Sequence, residues 1–247
     1  MNKLINVLPV AFAMAWAFSA CSSDSKSAGV TEESTGINMM ASEVLLSWNG
    51  AARQYKADVG DEKANGSWFF DAYDAEGSVA GEPMPSKYAL LDNDVLTSAL
   101  DSCKGVCFSY ELSAVDVPED DEDFEYPYVG VGIALPKLEI PDTLTSLVTD
   151  LCVTVKMTSS AESPVVFAEL SLGEDSHMFV AKGDHVDETC FEVGLAVHTL
   201  KPVYENGKIT IFVEADERTM QGNSSITGTV NVEKLEWKTK LVQDGKE

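Results

Sequence analysis

Tyrosine rings set beside a strip of glycines are the residues of this chain best suited to holding a flat ligand. The run Tyr126-Pro127-Tyr128-Val129-Gly130-Val131-Gly132-Ile133-Ala134-Leu135 alternates as a half-buried strand does, with Val129, Val131, Ile133 and Leu135 on the core face. The opposite face reads Tyr126, Tyr128, Gly130, Gly132, Ala134, so two aromatic rings stand next to a surface from which almost no side chain rises. The apolar face of a pyranose stacks on such rings while nearby carboxylates and amides hydrogen-bond its hydroxyls. The competing reading of the same pattern is that a neighbouring aromatic covers the glycines and nothing binds there.

Two further strands supply polar groups by the same alternation. With Trp68, Phe70 and Ala72 assigned to the core, Phe69, Asp71 and Tyr73 take the other face. With Val166, Ala168 and Leu170 inside, Glu169 points out. Asp71, Tyr73 and Glu169 therefore join Tyr126 and Tyr128 as candidate carbohydrate-binding residues. Trp48 and Trp237 read as core packing. Catalysis has little to stand on: His177, His185 and His198 have no serine or cysteine partner motif, and neither Gly-x-Ser-x-Gly, His-Glu-x-x-His nor a phosphate loop occurs. A hydrolytic carboxylate pair stays open among 41 acidic residues, yet a lone jelly-roll suits binding better than cutting. The expectation is a binder, not an enzyme.

The elements that must position these groups are short β-type runs separated by turn residues. They fall at Val44-Leu45-Leu46, 67–73, 106–112, 126–135, 151–157, 165–172, 178–181, 189–197, 208–214 and 229–237. Asn206-Gly207 reads as a tight hairpin turn. Residues 94–101 and 142–150 have an acidic start and apolar spacing suited to one or two helical turns. About ten strands in one domain of this size predict an all-β, two-sheet β-sandwich of jelly-roll type.

Charge and cysteines narrow the setting. A formal net charge of −24 excludes a nucleic-acid partner, because neutralising phosphates needs a basic face. The excess acid reads first as a solvated surface and second as a site for calcium or another cation; the run from Glu119 to Glu125 reads the same way, as a surface loop. Lys3, the uncharged run from Leu4 to Ala17 and Phe18-Ser19-Ala20-Cys21 predict a lipoprotein signal peptide over 1–20. Cys21 would then be lipidated, residues 21–42 would form a flexible tether, and 43–247 the β-sandwich. That places the protein at the cell envelope, on the outer membrane, held to the membrane by its lipid. Cys103, Cys107, Cys152 and Cys190 remain, an even set in an exported chain with three possible connectivities. Three of them fall on polar strand faces, which favours bridges near a surface; the favoured pairs are Cys103–Cys107 and Cys152–Cys190. Zinc would want thiolates in a reducing compartment and tighter spacing.

The motifs Trp48-Asn49-Gly50, Trp68-Phe69-Phe70-Asp71-Ala72-Tyr73-Asp74 with Gly77-Ser78, Cys103-Lys104-Gly105-Val106-Cys107, Tyr126 to Gly132, Leu151-Cys152-Val153-Thr154 and Pro164 with Glu169-Leu170 occur in an order and spacing that resemble one family. They are similar to the galactose-binding-like jelly-roll domains, related to carbohydrate-binding modules, on lipid-anchored surface proteins of fibre-degrading bacteria. The resemblance covers about Trp48 to Trp237. It implies a β-sandwich, no catalysis by this domain, a polysaccharide partner such as a plant cell-wall glycan, and a possible structural calcium ion. The chain departs from the pattern over 189–197, where Cys190 stands and a family-like tryptophan pair is missing. The alternative function is a structural or adhesion lipoprotein that binds protein and no glycan.

Overall fold

The computed structural model describes residues 44–57, 67–117, 124–135, 138–139, 146–172, 175–182, 185–196, 203–204 and 207–239. The expected signal peptide, Cys21, its tether and most of the acidic loop lie outside the described residues, as does Asn206 of the expected hairpin.

In chain order the early strands are β1 (Val44–Asn49), β2 (Gln54–Ala57), β3 (Ser67–Tyr73), β4 (Glu76–Val79), β5 (Glu82–Met84) and β6 (Ala89–Leu90). Helix α1 (Asn93–Cys103) leads into β7 (Val106–Ser113), β8 (Tyr128–Ala134), β9 (Leu138–Glu139) and β10 (Ser146–Ser159). Then come β11 (Val165–Leu172), β12 (Asp175–Lys182), β13 (His185–Ala196), β14 (Val203–Tyr204), β15 (Lys208–Glu214), helix α2 (Glu217–Met220) and β16 (Ser225–Thr239).

These strands build two antiparallel sheets. One runs β13-β10-β16-β7-β4-β5, with β1 also on β16 and β2 on β1; the other runs β12-β11-β15-β8-β3-β6. From β7 onward the chain crosses between them repeatedly: β7 in the first, β8 in the second, β10 in the first, β11 and β12 in the second, β13 in the first, β15 in the second, β16 in the first. That alternation is the jelly-roll form of a two-sheet sandwich. Strands β9 and β14 pair separately.

The core between the sheets consists of the residues that alternation assigns inward. Trp68, Phe70, Val131, Ile133, Leu170, Ile209 and Ile211 of the second sheet meet Trp48, Phe108, Leu112, Val153, Leu235 and Trp237 of the first, all buried. Trp48 and Trp68 pack edge to face with ring centres 4.7 Å apart, and Phe179 stacks on Phe191 at 4.5 Å where β12 and β13 meet. Thr149 is buried among them. Its hydroxyl accepts from the Trp237 indole N–H at 2.9 Å and donates to the Val193 carbonyl at 3.3 Å, so the tryptophan nitrogen keeps a partner inside the core.

Both favoured disulfides form, Cys103–Cys107 and Cys152–Cys190. The first ties the end of α1 to β7; the second joins residues directly opposite each other on β10 and β13. The helix expected over 94–101 is α1, started by the Asp92 carboxylate, which accepts from the Asp94 and Val95 amides at 3.1 and 2.9 Å. The second helical expectation, over 142–150, is corrected where the structure describes it. Residues 146–150 are strand, because β10 pairs from Ser146 with Ala196 on one side and from Thr149 with Thr239 on the other. A short acidic, apolar-spaced stretch yields to two full ladders of backbone hydrogen bonds.

Candidate functional site

The face of the second sheet turned away from the core is ordered as cross-strand rows. One row joins Tyr73 of β3, Tyr128 of β8 and Glu214 of β15. The next joins Asp71, Gly130, Phe212, Phe167 of β11 and Val180 of β12. A third joins Phe69, Gly132, Thr210, Glu169 and Met178. Lys208 stands in the fourth, between Ala134 and Ser171. Strand register alone therefore brings Asp71, Tyr128 and Glu169 to one surface from three strands far apart in the sequence.

A groove of about 430 Å³ opens there, lined by Asp71, Tyr128, Glu169, Lys208, Thr210, Phe212 and Glu214, with Met178 at one side and Phe124, Glu125 and Tyr126 at the other. Asp71, Tyr126, Tyr128 and Glu169 of the expected set line it. Tyr73 lies beside it, 46% exposed, its ring stacked on Tyr128 with centres 6.4 Å apart. Tyr126 reaches the groove from outside the strand: β8 begins at Tyr128, since Pro127 has no N–H for the ladder although its carbonyl accepts from the Ala215 amide at 2.8 Å. Phe124 packs edge-on to Tyr126 at 5.2 Å and extends the aromatic wall.

The glycine strip is not bare. A Cβ on Gly132 would lie 2.3 Å from the Phe69 ring, and one on Gly130 would lie 2.5 Å from Phe212 Cβ. The glycines admit the neighbouring strands closely, the Phe69 ring at Gly132 and Phe212 Cβ at Gly130, and Phe212 and Thr210 line the groove beside them. Phe212 in turn meets Tyr128 edge to face at 5.8 Å and stacks on Phe167 at 5.3 Å, over which Arg218 lies at 4.9 Å. Sequence reasoning passed over Lys208, Thr210, Phe212 and Glu214. The signal was present in the alternation of Lys208-Ile209-Thr210-Ile211-Phe212-Val213-Glu214, whose isoleucines and valine face the core.

The polar groups are mutually arranged. Lys208 Nζ is 4.0 Å from Asp71 Oδ2, and Tyr128 donates its hydroxyl proton to the Asp71 carboxylate. Glu169 Oε1 accepts from Ser171 Oγ at 3.0 Å and from Ser176 Oγ at 2.5 Å. Glu214 pairs with Arg218 at 3.5 Å. Burial pushes the Asp71 carboxyl above the usual carboxylate range, against the opposing pull of Lys208, Tyr128 and the Ala72 amide, and Glu169 adds to the rise. Glu214 is raised by burial and by Asp216, with Arg218 opposing and Glu169 again adding to the rise. Tyr128 is raised by burial first and then by Asp71, Glu125 and Glu169, so its hydroxyl stays a proton donor. Among the described residues no three His, Cys, Asp or Glu side chains gather as a metal-holding group.

A carboxyl whose folded pKa lies above its unfolded value costs stability once it ionises, and costs nothing where both states are protonated. Asp71→Asn is therefore expected to raise the thermal midpoint at neutral pH. The advantage should vanish as pH falls through the carboxylate range, and an equal gain at acid and neutral pH in thermal melts would refute the assignment.

No protein-family model matches the chain, and no curated protein matches it. Among solved structures it is similar to the arabinose-bound MgGH51 α-L-arabinofuranosidase, at 10% identity and a TM-score of 0.37, over 79% of this chain and 27% of that one. The chain thus spans little more than a quarter of that enzyme's length. It is similar to the CBM22-1 xylan-binding domain of Paenibacillus barcinonensis Xyn10C, at 8% identity and a TM-score of 0.35, over 81% of this chain and 96% of the domain. It is similar as well to TmCBM61 in complex with β-1,4-galactotriose, at 9% identity and a TM-score of 0.26, over 70% of this chain and 88% of that one.

Proposed function

We propose that this protein is a non-catalytic, carbohydrate-binding surface lipoprotein that holds polysaccharide against the cell envelope, anchored in the outer membrane through lipidated Cys21. The observation that carries the reading is the pairing of Tyr73 and Tyr128 beside a groove whose polar lining includes Asp71, Glu169, Lys208 and Thr210. Aromatic faces flanked by hydrogen-bonding groups suit the alternating apolar and hydroxylated surfaces of a sugar chain. Catalysis is disfavoured by how the carboxylates are engaged. Asp71 accepts from Tyr128 and faces Lys208, Glu169 accepts from two serines and Glu214 pairs with Arg218, an arrangement that suits these three carboxylates to receiving donors more than to acting as an acid and base pair across a glycosidic bond.

Affinity electrophoresis of the protein through gels containing xylan, mannan, glucan, pectin or chitosan tests the reading, with Tyr128→Ala alongside. Retardation by a polymer is expected, and removing the stacking ring should weaken it by about thirtyfold, the effect of losing a central aromatic anchor. Equal circular dichroism spectra and melting would confirm that the variant folds. Uniform migration in every gel would favour the protein-binding alternative, for which Tyr88 and Leu90, 51% and 64% exposed at the edge strand β6, supply an apolar patch.

A further inference from the structure

Four carboxylates line or overhang the groove, those of Asp71, Glu125, Glu169 and Glu214, and among the described residues Lys208 is the one basic side chain of its lining. Asp71 and Glu214 are only 13% and 17% exposed. A neutral sugar laid over them replaces their water with hydroxyl donors but supplies no opposite charge to them. A uronate would add repulsion. A ligand bearing ammonium groups offsets the desolvation with charge-assisted hydrogen bonds, and the faces of Tyr128, Tyr126 and Phe212 attract cations as well as sugar rings.

A second observation marks the spot independently of charge. Thr210 is 4% exposed, its Oγ1 makes no hydrogen bond among the described residues, and it lines the groove between Glu169 and Gly132 in the same cross-strand row. A buried hydroxyl carries an unmet hydrogen-bonding capacity that an incoming donor or acceptor can satisfy.

We propose that the ligand is an amino-sugar polymer, its ammonium groups received by Asp71, Glu169 and Glu214 and one of its polar atoms by the Thr210 hydroxyl. The proposal rests on the glycan-binding reading above and names its substrate class. A basic peptide shares the charge but lacks the flat hydroxylated ring that the Tyr73–Tyr128 pair and Thr210 fit, so the sugar is the better match.

The test is isothermal titration of the protein with a glucosamine oligomer, its N-acetylated counterpart, a galacturonate oligomer and an oligolysine of equal charge. The glucosamine oligomer is expected to bind about tenfold or more tighter than the acetylated one, as loss of a charge-assisted contact predicts, with no binding of galacturonate. Thr210→Val and Asp71→Asn should each weaken it by about tenfold, while Thr210→Ser keeps the hydroxyl and the affinity. Glu111→Gln, on the exposed face of β7 in the other sheet, should leave it unchanged. Acidification through the range where Asp71 and Glu214 take up protons should weaken binding of the amine, because the groups facing it there are these two with Glu169 and Glu125, against Lys208 and Arg218. Acetylated oligomer bound as tightly as the free amine overturns the charge preference while leaving glycan binding intact. Oligolysine bound as tightly as the sugar, or an equal loss in Glu111→Gln, assigns the effect to bulk charge and overturns it too. No binding of any sugar overturns both readings.

Discussion

Removing the Cys152–Cys190 bridge as Cys152→Ala with Cys190→Ser is expected to lower folding stability by about 4 kcal/mol, the chain-entropy value for closing a loop across a sequence separation of 38. The bridge joins directly opposed residues on β10 and β13, so everything from β11 through β12 lies within the loop it closes, including Glu169 and Met178. Removing Cys103–Cys107, which spans only four positions, should cost about 2 kcal/mol by the same relation. Denaturant midpoints of both double variants, each compared with the parent, separate the two. The ranking is the checkable content: a Cys152–Cys190 loss no larger than that of the short bridge would mean that β10 and β13 are held together as firmly in the unfolded ensemble, and the entropic account would fail. Reductant should reproduce the combined loss in the parent and leave the variants insensitive at the bridge each lacks.

Trp68→Ala is expected to destabilise by about 3–5 kcal/mol, the range for truncating a buried large aromatic. Trp68 is 1% exposed and belongs to β3, whereas Trp48, against which it packs edge to face, belongs to β1 of the other sheet. The pair is thus a direct bridge across the core, and truncation opens a cavity between sheets that close packing cannot readily fill. Trp68→Phe should cost clearly less, because most of the buried area is kept. There is also a functional arm. Phe69, Asp71 and Tyr73 alternate with Trp68 along the same strand, so ligand affinity at a denaturant concentration well below the midpoint should fall in Trp68→Ala and survive in Trp68→Phe. Equal midpoints for the alanine and phenylalanine variants in equilibrium unfolding would sink the packing argument.

The strands that were legible to the residue have strong alternation and clear punctuation. The runs expected at 67–73, 165–172 and 208–214 coincide with β3, β11 and β15. Legibility failed where a tertiary partner decided the outcome. Residues 146–150 look helical by local spacing but sit between two ladders, and Tyr126 continues the apparent alternation of β8 although Pro127 closes the ladder before it. The candidate site shows the same division. Which face Asp71, Tyr128 and Glu169 take follows from period two, but that β15 lies between β8 and β11, and so contributes Phe212 and Thr210 to the groove, is a matter of strand order. Nothing in a single sequence reports that order. The glycines illustrate it best: their lack of side chains was visible, while the Phe69 ring and the Phe212 Cβ that use the space come from strands on either side.

Those two glycines also act as a lock on alignment. Because the Phe69 ring fits only where Gly132 has no Cβ, sliding β3 by one position along β8 would drive that ring into Val131 or Ile133, and would at the same stroke turn Asp71 and Tyr73 toward the core. The same close fit at Gly130 holds β15 from the other flank. The polar pattern of this face is in this sense a set of tiles on a frame whose alignment the glycine contacts secure. Exchanging residues such as Lys208, Thr210 or Glu169 would alter the chemistry of this surface while the frame stays in register.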